Sequence, residues 1–229
     1  MGLYYSLQKA HFVKSSQILA ERSRRPMLRV FRYAIRQNVK SAAARTADGH
    51  ERRKDFLGEA ELATLLEAAR KGRHGVRDYL LILMMYRHGL RVSEAITLRR
   101  DEVNLKEARI WVKRLKNGLS VEQPIAGDEL RAIRRWLATR RDHLPWLFLS
   151  ERRQPLTRQS VNYIVGAAAA RAGLSPVNPH MLRHSCGFSL ANRGFDQRLI
   201  QDYLGHRDPK HTVHYTRVVA RRFDGLWER

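Results

Sequence analysis

A chain of 229 residues with 43% hydrophobic content can bury a real core, as one large domain or as a domain with an appendage. Lys and Arg number 44 against 22 Asp and Glu, a net charge of +22. That excess works against folding unless a polyanion neutralises it, which ranks nucleic acid first, a membrane surface second and a merely basic protein third.

Along the chain, residues 1–50 carry ten Lys/Arg and two acids. Arg29, Arg32, Arg36 and Lys40 recur at steps of three or four, which predicts one basic helix face opposite Val30, Phe31, Ala34 and Ile35. An Arg-rich, acid-poor start also fits an organelle transit peptide. Gly49 and HERRKD read as a linker, so the expected division is a basic extension, 1–50, and a globular domain, 51–229.

From Phe56 the pattern predicts helices in LGEAELATLLEAARKG and in GVRDYLLILMMYRHGL, the second more buried. RIWVKR and LSVEQPI flank KNG, which predicts two strands joined at Asn117-Gly118. GDELRAIRRWLATRR reads as a helix, LFLS as a short strand, and TRQSVNYIVGAAAARAG as a helix capped by Thr157. Two or three more helices fill Pro179–Val218, broken at Gly194 and around Pro209. The fold class expected is mainly α with a small antiparallel sheet. The longest apolar run, YLLILMMY, is too short to span a bilayer, and no segment reads as a secretory signal. Cys186 is the only cysteine, which excludes an internal disulfide and fits a reducing compartment.

Pro179–Val218 also holds five of the ten histidines, among arginines and ahead of Tyr215. Metal binding is one reading, through His180 with His184 and His211 with His214. It has no HExxH glutamate or cysteine pair, and the neighbouring arginines repel a cation. HRDPK at His206 echoes a kinase catalytic loop but has neither a Gly-rich loop before it nor DFG after it. Phosphoryl transfer fits better. Arginines can fork onto the non-bridging oxygens, histidines can donate or accept protons, and a tyrosine hydroxyl can attack if cations stabilise its phenolate.

GLRVSEAITL with Arg91, RLKNGLSVEQPI with Lys116, PHMLRH with His180 and Arg183, YLGH with His206 and HYT with Tyr215 occur in that order. In this the chain resembles the tyrosine site-specific recombinases of the phage-integrase type, over about Phe56 to Arg229. The phrasing of RLKNG, PHMLRHSCGFSLANRG, LIQDYLGH and RRFDGLWER is most similar to the recombinases that invert the type 1 fimbrial promoter switch. Residues 1–50 match neither those short relatives nor the clamp domain of phage integrases.

The resemblance implies a tyrosine recombinase catalytic domain in which Arg91 and Arg183 grip the scissile phosphate. It implies that His180 assists proton transfer or binds the same phosphate, that His206 donates to it, and that Lys116 protonates the leaving 5′-oxygen. Tyr215 would form the 3′-phosphotyrosine bond without cofactor, metal or ATP. Glu94 orients Arg91 or is a plain surface carboxylate, and His184 is a supporting residue. Lys113 rivals Lys116, which lies nearer the turn and keeps the spacing to Pro124. Tyr203, Tyr163 and Tyr86 read as packing residues, and His214 is expected to point away from Tyr215. Arg29, Arg32, Arg36 and Lys40 are the DNA-binding candidates of the extension. The partners implied are duplex DNA with specific recombination sites, a homotetramer assembled on it and accessory DNA-bending proteins, in a bacterial cytoplasm at the nucleoid, without membrane contact. Inversion is the expected outcome, with integration or excision of a mobile element beside it. A catalytically silent DNA-binding regulator on the same fold is the alternative from another class.

Overall fold

The computed structural model describes residues 55–115 and 118–217. The expected basic face at Arg29, Arg32, Arg36 and Lys40, the linker as far as Lys54, and Lys116 and Asn117 lie outside the described residues, as does the ending 218–229.

Eight helices and one three-stranded sheet are described. In chain order they are α1 (Glu59–Arg70), α2 (Gly75–Arg87), α3 (Val92–Thr97), β1 (Val103–Asn104), β2 (Arg109–Val112), β3 (Val121–Pro124), α4 (Gly127–Ala138), α5 (Arg158–Arg171), α6 (Pro179–Asn192), α7 (Gln197–Leu204) and α8 (Lys210–Arg217). The mainly α expectation holds, and no described helix is long and apolar enough to cross a membrane.

The centre is α2. Its run Leu80–Met85 is buried on every side, as an uninterrupted apolar stretch must be. It packs against α1, α3, α4 and α6, and α1 packs on α5. A second, smaller cluster joins Cys186, Phe188, Ala191, Ile200, Leu204 and Tyr215, and Tyr86 touches both clusters.

The sheet is antiparallel in the order β1-β2-β3. Strand β1 was not legible in the sequence, since two residues are too few to display a period. The β2–β3 ladder stops at Val112↔Val121, so the connection is longer than the two-residue Asn117-Gly118 turn expected. LFLS is not a strand. Trp146 and Leu149 make only isolated bridges, to Arg99 and Pro155, while Leu147, Phe148 and Leu149 are buried. Burial, not pairing, explains that apolar run.

Helix ends follow local chemistry. Thr157 Oγ1 accepts from Ser160 N at 3.1 Å, as expected of a cap. Asn178 Oδ1 accepts from the N–H groups of His180 and Met181, with Pro179 in the first turn, so α6 begins where His180 needs it. Helix α7 ends at Gly205, left-handed at φ 66°, and His206 N closes back onto Gln201 O.

Gly89 follows α2 at φ 56°, and a Cβ there would stand 2.4 Å from Leu204 Cδ2. Gly89→Ala adds left-handed strain and overpacking together. It is expected to lower the unfolding free energy by about 3 kcal/mol in urea titration.

Candidate active site

Three loops and one helix face converge beside α2. Arg91 caps α3, the loop after β2 brings Arg114, α6 presents His180, Arg183, His184 and Gly187 on one face, and the loop after α7 brings His206. Helix α8 then lays Tyr215 over that face.

The floor is held by one carboxylate. Glu94 is 4% exposed, which removes the surface reading. Its Oε1 accepts from Arg91 Nη1 at 2.7 Å, and its Oε2 accepts from Arg91 N and from Arg114 Nη1, both at 2.9 Å. Arg183 Nη1 stands 3.9 Å from it. Burial raises this carboxyl's pKa, but Arg114, Arg91 and Arg183 outweigh the burial and hold it below the usual range.

Arg183 is 2% exposed and donates to Gly89 O, and through Nη2 to Leu204 O at 2.7 Å. Burial, then the charges of Arg114 and Arg91, push it down to about 10, still cationic at neutral pH. These bonds fix the guanidinium between the turn after α2 and the end of α7.

Each imidazole is held towards the neutral form. His206 is buried, and its Nδ1 pairs with Thr212 Oγ1 at 2.9 Å. Burial, then Arg183 and Arg91, push it down to about 3. His184 packs edge-on to His180 at 4.4 Å between ring centroids and lies 3.1 Å from Tyr215 Oη through Nδ1. Desolvation, then His180, push His184 down to about 4. His180 lies at the exposed end of α6, lowered by partial burial and then by Arg183 and Arg91.

Tyr215 is 2% exposed. Its ring stacks on His206 at 6.2 Å and 17°, and meets Phe188 edge-on at 5.3 Å. A Cβ on Gly187 would stand 2.7 Å from that ring, so only glycine leaves room for it. Burial pushes the phenol up to about 12, although Arg183 and Arg91 pull it down. A hydroxyl kept protonated in this way needs an acceptor to give up its proton, and His184 Nδ1 is within reach.

The structure thus gathers Arg91, His180, Arg183, His184, His206 and Tyr215, with Glu94 beneath. His214 reaches Asp55 Oδ2 at 4.0 Å and lies edge-on to Phe188, yet its ring stays 5.9 Å from that of Tyr215 and 6.4 Å from that of His184, so it does not point clear of them as expected. Tyr86 packs, and Tyr203 Oη donates to Arg87 O at 3.0 Å. Tyr163 departs from its packing assignment, being 55% exposed. Lys113 is exposed beside the loop. Arg114 was missed. Alternation along RIWVKR does place it on the inward side with Ile110 and Val112, and that was the available signal.

A buried tyrosine among two cationic arginines and neutral histidines, without a carboxylate at its hydroxyl among the described partners, has the chemistry that phosphoryl transfer to a protein hydroxyl requires. Residues 55–222 match the phage integrase family. The type 1 fimbriae regulatory proteins FimB and FimE of Escherichia coli K12 are 45% identical over 183 residues and 46% over 180. The matches cover 78% and 76% of this chain, and 92% and 91% of those proteins. A crystal structure of XerA recombinase superposes with a TM-score of 0.66 at 28% identity, over 75% of this chain and 61% of that one. The chain belongs to the phage integrase family and is a tyrosine-type site-specific recombinase.

In the unfolded chain both His184 and His206 titrate near 6.5, and in the fold far lower. Below pH 6.5 the unfolded state therefore binds the extra protons, and acid weakens the fold. The urea midpoint is expected to drop between pH 7 and 4, and to drop less steeply in His206→Gln than in the wild type.

Proposed function

We propose that the chain cuts and rejoins duplex DNA at specific sites through a 3′-phosphotyrosine link on Tyr215, and that its task is inversion of a DNA segment. The observation that carries the chemistry is the Tyr215 hydroxyl, 3.1 Å from a neutral His184 and within the field of Arg91 and Arg183. Near-full-length similarity to FimB and FimE supports the inversion reading over integration or excision.

In this reading Arg91 and Arg183 fork onto the non-bridging oxygens of the scissile phosphate, His206 donates to them, and His180 binds the phosphate or relays a proton. The phenol oxygen forms its bond to phosphorus while its proton passes to His184 or His180. The bond from phosphorus to the 5′-oxygen breaks, and Lys116 protonates that oxygen. The phosphodiester energy stays in the tyrosyl ester, so no ATP is consumed. Glu94 acts through Arg91 as a positioning residue. The working assembly is a homotetramer on two DNA sites, with DNA-bending proteins as accessories, in a bacterial cytoplasm at the nucleoid.

A nicked suicide substrate traps the ester. Wild type is expected to give a covalent protein–DNA band, and Tyr215→Phe to give none while still binding. Arg91→Ala and Arg183→Ala are expected to slow cleavage roughly 10²–10³-fold, the effect of deleting one oxyanion donor. Lys116→Ala is expected to recover on a substrate whose bridging 5′-oxygen is sulfur, since a thiolate leaves without a proton. A wild-type protein that binds its site but never forms the band is a silent regulator, and the reading falls.

Residues 1–50 are proposed as an arm whose Arg29, Arg32, Arg36 and Lys40 contact phosphates, joined to a catalytic domain over 51–229. Each phosphate neutralised contributes about 0.9 to the log–log salt slope. Deleting residues 1–50 is expected to flatten that slope by roughly two to four contacts while cleavage at low salt survives. An unchanged slope assigns the segment no DNA role.

A further inference from the structure

We propose that Arg114 is a positioning residue of the recombination site, the member that ties the loop after β2 to the arginines beneath the phosphate. Its side chain is fully buried and makes four bonds in three directions. Nη1 donates to Glu94 Oε2 at 2.9 Å and to Gly89 O at 3.2 Å. Nη2 donates to His88 O at 2.8 Å and to Tyr203 O at 2.7 Å. Of its three side-chain nitrogens, Nε alone finds no acceptor among the described residues.

Those acceptors are parts of the site itself. Gly89 O also receives Arg183, the Glu94 carboxylate also receives Arg91, and Tyr203 sits one residue before Leu204, whose carbonyl receives Arg183. Leu115 N points at Glu94 Oε1 at 3.3 Å, so the loop and the carboxylate share a second link. Gly205 and Gly118 leave room for the side chain, since a Cβ at either would approach Arg114 carbons within 3 Å. Four carbonyl and carboxylate acceptors shared between the two terminal nitrogens suit a guanidinium fork, whereas an ammonium is a point charge.

The arrangement has a consequence for charge. Glu94 faces Arg91 from its own helix cap, Arg114 from the loop and Arg183 from α6, with Arg99, Glu102 and Lys113 around the adjoining pocket of about 200 Å³. Cys186 also bears on Arg114. Arg114 is the strongest of the influences that hold Glu94 ionised against its burial. Removing Arg114 lets the carboxyl rise, and a protonated Glu94 cannot hold Arg91 as an ion pair.

This rests on the recombinase reading, and single-turnover adduct formation on a nicked suicide duplex, followed from pH 5.5 to 9, separates the two. In wild type the rate is expected to show no limb from Glu94 in that range. Arg114→Met is expected to cut site-bound DNA roughly 10²-fold more slowly at pH 6 and to recover as pH rises, with DNA affinity unchanged. Glu94→Gln added to Arg114→Met removes the recovery. Arg114→Lys restores the counter-charge without the fork, so it is expected to abolish the pH limb but stay about tenfold slow. Because Arg114→Met can fail to fold, Arg114→Lys with its melting temperature decides that case. A folded Arg114→Lys at the wild-type rate overturns the proposal, and so does a folded Arg114→Met whose defect is equal at every pH. Wild type without adduct overturns the recombinase reading first and takes this inference with it.

Discussion

Everything at this site hangs from one buried carboxylate. Glu94 sits at 4% exposure and binds or faces guanidinium groups from three separate segments, Arg91 on its own helix, Arg114 after β2 and Arg183 on α6. Burying such ions costs several kcal/mol each, and removing one partner leaves a charge without its counterpart. One negative charge does not balance three positive ones. The remainder is a fixed positive field, and it registers on His180, His206 and Tyr215, each shifted by Arg183 and Arg91. A site built this way is preorganised for an anion before any anion arrives.

The tyrosine of the candidate site is also a member of the core. Tyr215 packs with Cys186, Phe188, Ile200 and Leu204, over the space left by Gly187. That burial keeps the phenol protonated, with a neighbouring ring placed to accept its proton. His184 and His206, both neutral for the same reason, flank it. Desolvation thus acts in opposite senses on phenol and imidazole, favouring the uncharged form of each, and an uncharged pair is what proton transfer requires.

The positions of these groups come from short backbone devices. Gly205 closes α7 in a left-handed cap and delivers His206 at once, and Asn178 starts α6 with His180 in its first turn. Gly89 turns the chain from α2 to Arg91 and offers one carbonyl to both Arg114 and Arg183. Carbonyls left over at helix ends serve as acceptors for the buried cations, which satisfies both at once.

The sequence by itself determined the longer helices, though not the six-residue α3, because apolar spacing and capping residues such as Thr157 act within a few neighbours. It also put Arg91, His180, Arg183, His206 and Tyr215 on record as motifs, and the family's phrasing named the chemistry. It misread what depends on distant partners. LFLS is buried without a ladder, β1 exists only against β2, and Tyr163 faces out from an apolar helix. It left Glu94 undecided between surface and core. It passed over Arg114, one more cation in a basic chain, whose four acceptors lie 20 to 89 residues away. Local rules decide where a helix begins. Only the tertiary structure decides which charges lose their water, because desolvation is a property of what packs around a group and not of its neighbours in the chain.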